Sequence, residues 1–253
     1  MADTAASPRP ASTVLVIRDG PAGVEVYLQR RPRAMHFAGG LWVFPGGRVD
    51  EADADPSIDR YWTGPRPAHW AAVMGVTEGL ARAHVVAAYR ETLEESGILL
   101  VSAGPDAGAV VDARRALLAD THTFAEIVQE LGVELDTSLL RYWAWWVTPD
   151  SEPRRYDTRF FLARLPDRAV ITPHDDEVVE EAWAASTEGD DLMMLPPTYY
   201  TMRDVVSHTS VTAAMAAAAD HAVTRVQPMV EGTQILLPWD ERYDVRSGPV
   251  RPT

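Results

Sequence analysis

Glu91, Glu94 and Glu95 stand in the run Arg90-Glu91-Thr92-Leu93-Glu94-Glu95-Ser96-Gly97-Ile98. On a helix, Glu91 is i,i+3 to Glu94 and i,i+4 to Glu95, so the three carboxylates share a face. Val86, Tyr89 and Leu93 fall on the opposite side and give the helix an apolar backing. Like charges at this spacing repel by a few tenths of a kcal/mol per pair, a cost that a bound hard cation reverses. Oxygen donors on one rigid helix, beside a glycine turn, suit magnesium bridging to a phosphate.

Several elements must position that helix. Ser12 to Arg18 and Val24 to Arg30 read as strands joined through Asp19-Gly20-Pro21-Ala22-Gly23. A short strand, Leu41 to Phe44, runs into Pro45-Gly46-Gly47. The helix itself is expected from about Ala83 to Ser96, with Gly97 as its left-handed stop. Between them, residues 54–82 carry Pro56, Gly64, Pro65, Pro67, Gly75 and Gly79 among Tyr61, Trp62 and Trp70. Such breaker content predicts loops and one short helix, and a mobile lid over the site. Helical additions follow at about 111–131, with Phe124, Ile127, Val128 and Leu131 at helical spacing. Strands are expected at Leu139 to Thr148, Thr158 to Leu165, Glu177 to Ala184 and Gln234 to Leu237, and helices within about 197–222. The expected fold class is α/β: a mixed sheet flanked by helices in residues 13–253, behind a flexible tail at 1–12.

Composition narrows the function. The net charge is −14 and there is no lysine, so arginine carries all strong positive charge. That field opposes nucleic-acid binding and forces any anionic substrate to rely on local arginines and a cation. No apolar run reaches the length of a membrane helix. The absence of cysteine excludes disulfides and thiolate metal sites. The start reads as a tail rather than a signal peptide, and Arg251-Pro252-Thr253 is not a peroxisomal address, so the expected location is cytoplasmic.

The run resembles the box of the Nudix hydrolases, G-x5-E-x7-R-E-U-x-E-E-x-G-U, where U is aliphatic. Gly47 matches the opening glycine, and Arg90, Glu91, Glu94, Glu95, Gly97 and Ile98 match the second half. Asp53 stands at the first glutamate, Thr92 at an aliphatic position, and the long segment Ala54 to Tyr89 replaces the x7 spacer. The resemblance implies an α/β/α sandwich and hydrolysis of a phosphoanhydride. It also implies Mg2+ or Mn2+ held by Glu91, Glu94, Glu95 and the carbonyl of Gly46. Arg90 would set the carboxylate geometry, and the base would be a box glutamate (Glu94 or Glu95 among them) or Glu177, which precedes a tryptophan-bearing strand. The split box leaves this geometry intact only if Asp53 and Ala83 come close together in space.

The segment before Phe44-Pro45-Gly46-Gly47 resembles in part the coenzyme A diphosphatases of the Nudix group, whose motif is L-L-T-x-R-[SA]-x3-R-x3-G-x3-F-P-G-G. Gly40, Arg31 and Leu28 match; His36, Pro32, Gln29 and Tyr27 do not. The split box resembles the peroxisomal members of that group. Substrate contacts are expected from Arg31, Arg154, Arg155, Arg159 and Phe44, because planar guanidinium forks suit phosphate oxygens. Trp143, Trp145 and Trp146 read as core and edge packing, and His36, His69 and His174 show no ligand spacing. The expected substrate is coenzyme A or an acyl derivative. The alternatives are ADP-ribose, NADH or a dinucleoside polyphosphate, or a ligand-binding regulator without catalysis. The partner is a small-molecule nucleotide, and a homodimer is compatible with the sequence. If the box glutamates serve turnover, Glu95→Gln keeps shape and removes charge. Its folding free energy should then change by less than about 1 kcal/mol while turnover falls by orders of magnitude. An unchanged rate at saturating magnesium would refute the role.

Overall fold

The computed structural model describes residues 6–35, 38–169, 171–172, 178–185 and 192–243. Its framework is strand β1, Arg9–Gly20, whose alternation sends Val14 and Val16 into one core and Leu15 and Ile17 into another. β2 (Gly23–Arg30) returns antiparallel to β1 through a two-residue turn, with Gly20 opposite Gly23. β3 (Trp42–Val43) pairs with β2, while β4 (Gly46–Arg48) pairs with the first half of β1, Ala11 opposite Arg48. β1 therefore meets β2 at one end and β4 at the other, and the glycine turn lies in the fork between them. Gly46 is required there, because a Cβ would stand 2.5 Å from the Ser12 carbonyl oxygen.

Downstream, β5 (Trp62–Thr63) pairs in parallel with β6 (Leu135–Asp136) as a small separate ladder. β7 (Leu140–Val147) and β8 (Tyr156–Arg164) form a hairpin, and β8 lies parallel to β1 from Arg9–Tyr156 to Ile17–Arg164. β9 (Glu180–Ala184) joins β2, and β10 (Arg225–Val226) joins β7. The result is a mixed sheet in the order β10-β7-β8-β1-β2-β3, with β4 and β9 attached to β1 and β2. A last hairpin, β11 (Met229–Glu231) and β12 (Gln234–Leu236), stands apart from it.

Helices α1 (Pro67–Met74), α2 (Glu78–Ser96), α3 (Ala107–Leu118) and α4 (Phe124–Leu131) contribute to the core on one face of the sheet. Helices α5 (Pro196–Val206) and α6 (Val211–Ala217) pack on the other, giving the expected α/β/α layers. No helix among the described residues is long and apolar enough to cross a membrane.

Four expectations change, the first being that α2 begins at Glu78 rather than at about Ala83. The tail is shorter, because β1 begins at Arg9, where its amide bonds the Arg155 carbonyl. The final helix ends at Ala217 rather than near residue 222. The aromatics of the insert, expected in a mobile cover, pack as core. Trp62 and Trp70 are 2% and 3% exposed and belong to the α2 core with Ile58 and Met74. Both indole N–H groups donate to the Pro65 carbonyl, at 2.7 and 3.1 Å, and Trp70 meets Phe161 edge-on at 5.9 Å. The breakers that suggested mobility instead punctuate a short helix: Pro67 begins α1, and Gly75, at φ 67°, caps it in the left-handed region. Trp70→Ala should therefore cost about 3–5 kcal/mol. Replacing residues 57–79 by a Gly-Ser linker should abolish the cooperative thermal transition followed by circular dichroism; a folded, cooperative product would restore the lid.

Candidate active site

Helix α2 is built to carry charge on a buried scaffold. Thr77 caps its start by accepting from the Leu80 amide, and Gly97 ends it at φ 74°. Val85, Val86, Tyr89 and Leu93 are buried behind it, and Tyr89 donates its hydroxyl to the Asp136 carbonyl at 2.7 Å. Thr92 fills its aliphatic position because its hydroxyl donates back to the Ala88 carbonyl at 2.7 Å, leaving a fully buried side chain satisfied. Gln29 of β2 donates to the Glu95 carbonyl at 3.0 Å and pins the helix end to the sheet.

Arg90 organises the charged face. Its Nε and Nη2 donate to the two Asp53 oxygens at 2.9 and 3.0 Å. Nη2 also reaches the Arg48 carbonyl, and Nη1 donates to Glu91 and Glu94, all at 2.9 Å. All five N–H groups of the fork are thus used. The contact to Asp53 is how the split box closes, since the chain leaves after residue 53 and returns within hydrogen-bond distance of it. Burial lowers the Arg90 pKa, but its bond to Asp53 and the charges of Glu91, Asp53 and Glu94 outweigh that and raise it.

The carboxylates divide between two cavities. Glu91 and Glu95 line a cleft of about 960 Å³ with Gly46, Gly47 and Arg48. Glu94 lines a neighbouring cavity of about 220 Å³ with Asp50, Asp53 and Arg90. Gly47 has no room for a side chain, because a Cβ would lie 2.5 Å from the Glu91 carboxylate. Glu95 accepts from the Gly46 amide at 2.8 Å. Donors of this type, all oxygen and mostly anionic, suit a hard divalent cation. Among the described residues, however, no three acidic or histidine side chains converge as ligands. Glu91 and Glu94 turn to Arg90 instead, and Glu95 turns to the Gly46 amide.

Of the other candidates, Arg31, Arg154 and Phe44 line the large cleft. Arg155 does not: it is buried and bound to Thr148 and Ala6 carbonyls and to Asp150, which tie the β7–β8 turn to the start of the chain. Nor does Arg159. Alternation along β8 sends Thr158 and Phe160 to the cleft, while Arg159 is buried with Tyr142 and the Met74 carbonyl and stacks 3.8 Å from the Trp145 ring. Trp143 is a buried core residue, and Trp146 is buried while also edging the large cleft. Glu177, His36 and His174 lie outside the described residues. A cleft arginine absent from the sequence reading is Arg48, which directly follows Gly47; the alternation of a three-residue strand is too short to reveal it.

A family model for the NUDT19 Nudix domain matches residues 72–205, more than half of the chain. The chain belongs to this Nudix family. It is 27% identical to acyl-coenzyme A diphosphatase NUDT19 of Gallus gallus, over 88% of this chain and 74% of that protein. The human protein of the same name is 25% identical over 93% of this chain and 76% of its own length. The crystal structure of a Nudix hydrolase from Alicyclobacillus acidocaldarius superposes with a TM-score of 0.64 at 28% identity, covering 85% of this chain and 97% of that one. The Nudix chain described here is accordingly a hydrolase, with α2 as its box helix.

Burial raises the pKa of Glu91 to about 7; Arg90 opposes the shift, and Glu94 and Asp53 add to it. Burial likewise raises Glu94 and Asp53, against the pull of Arg90. A carboxylate raised in the folded state binds its proton more tightly there than when unfolded. Its contribution to stability is therefore full below the ordinary value of 4.5 and lost as pH rises through about 7. The metal-free protein should accordingly lose Tm across that window, and Glu91→Gln should flatten the loss in a calorimetric pH series. An equally steep loss in the variant would assign the effect to other groups.

Proposed function

We propose that this Nudix hydrolase cleaves the diphosphate of coenzyme A or an acyl-coenzyme A. The observation that carries the reading is one cleft holding Glu91 and Glu95 beside Arg31, Arg48 and Arg154, in a chain that shares its family with named acyl-coenzyme A diphosphatases. Glu91 and Glu95, which line the cleft beside Gly46, would hold Mg2+ or Mn2+, with Glu94 joining them only on turning from Arg90 and the neighbouring cavity. Such a cation neutralises phosphate oxygens and lowers the pKa of bound water.

The chain's own residues would do the rest. Arg90 holds Glu91 and Glu94 on one fork, so their mutual repulsion is offset before substrate arrives. The three cleft arginines offset the net charge of −14 locally and orient the diphosphate. Water adds to one phosphorus, the anhydride P–O bond breaks, and the proton of the attacking water passes to a cleft carboxylate, Glu91 or Glu95, or to Glu177. With coenzyme A, the products are 4′-phosphopantetheine and adenosine 3′,5′-bisphosphate. Arg31, on the first arginine of the partial coenzyme A motif, and Arg154, exposed at the rim, are the candidates for the 3′-phosphate.

The test is a panel of coenzyme A, acyl-coenzyme A, NADH, ADP-ribose and dinucleoside polyphosphates with magnesium or manganese, products being identified by mass spectrometry. Coenzyme A or its acyl form should give the highest kcat/KM. A nucleotide lacking pantetheine that exceeds coenzyme A tenfold, about 1.4 kcal/mol of transition-state preference, would overturn the substrate and leave the Nudix reaction standing.

A further inference from the structure

The large cleft has two chemically different ends. Glu91, Glu95 and Arg48 sit where α2 meets β4. Trp146 lies on β7, beyond β1 and β8 in the sheet order, so three strand spacings, about 14 Å, separate it from β4. Val230 and Ile235 also line the cleft, on the hairpin that follows β10, which pairs with β7 at Trp145 and Trp146.

Val230 and Ile235 have no evident folding role on their open face. They are directly opposed partners across the β11–β12 hairpin, and they remain 41% and 49% exposed. A directly opposed β-branched pair presents a continuous apolar surface, and here that surface faces the cleft. The hairpin beneath it is anchored independently. Leu236 and Leu237 are buried, and Tyr243 donates its hydroxyl to the Gln227 carbonyl at 2.7 Å. An apolar surface fixed at the mouth of a polar site has the form of a ligand wall. It also lies beyond residues 72–205, where the family model matches.

We infer that the β11–β12 hairpin is the wall for an apolar acyl arm, with Val230 and Ile235 favouring an acylated substrate over its free thiol. The inference rests on the coenzyme A reading for the identity of the charged end. A diphosphate held near Glu91 and Glu95 leaves the far end of the cleft for a long substituent, and an aliphatic thioester chain matches its chemistry.

Two measurements on wild type and on Val230→Thr/Ile235→Thr decide the matter. Threonine keeps the β-branched shape at exposed positions, and Val230→Thr alone provides a milder step. The ratio of kcat/KM for decanoyl-coenzyme A over coenzyme A should fall about tenfold in the double variant. By titration calorimetry, S-decanoyl-pantetheine should bind wild type more tightly than pantetheine does, and the double variant should lose that difference. Equal binding of the two compounds by wild type, or a difference that survives in the variant, overturns the wall. If wild type cleaves neither coenzyme A nor its decanoyl ester yet the binding difference holds and is lost in the variant, the substrate reading fails and the wall stands.

Discussion

The site depends on one guanidinium. Arg90 is 8% exposed and surrounded by Asp53, Glu91 and Glu94. Three anions so placed would push apart, and each pays a desolvation cost that a single neighbour cannot offset. The fork answers both problems, because its planar donors are aimed at different acceptors at once. It also joins two distant stretches of chain, since Asp53 and the Arg48 carbonyl belong to the segment before the insert. Helix, glycine turn and insert thus share one electrostatic centre.

That centre explains which parts of the fold are legible in the sequence. Glu91, Glu94, Glu95 and Gly97 announce a capped helix because helical spacing is local. The layered α/β fold is legible for the same reason: β1 and β8 carry short continuous apolar runs, Val14 to Ile17 and Phe160 to Ala163, the local mark of strands buried on both faces. The insert is misleading because glycine and proline mark turns whether the turns are mobile or packed. Only the tertiary partners of Trp62 and Trp70, such as Phe161 and the Pro65 carbonyl, distinguish the two cases.

The arginines teach a similar lesson. Arg154, Arg155 and Arg159 look equivalent as a cluster beside a turn. In the fold they take three fates: a cleft rim, a buried turn clamp and a buried stack on Trp145. Strand period separates Arg159 from its cleft-facing neighbours Thr158 and Phe160, but only if the buried face is known in advance. Likewise, the shared helical face of the three glutamates does not make them equivalent, because Glu94 lines the smaller cavity with Arg90 while Glu91 and Glu95 line the cleft.

The parallel pairing of β1 with β8 has a consequence for synthesis. β1 emerges first, yet the partner that fills its other edge ends at Arg164. At about 5–20 residues per second, the interval between Gly20 and Arg164 leaving the ribosome is on the order of ten seconds. For that time β1 has β2 and, later, β4 on one edge, while the edge that β8 will fill, from Arg9 to Ile17, remains an open template for any other strand. The nascent chain is thus most exposed to wrong pairing before its central strand is enclosed, and long-range closure of this kind slows folding as well.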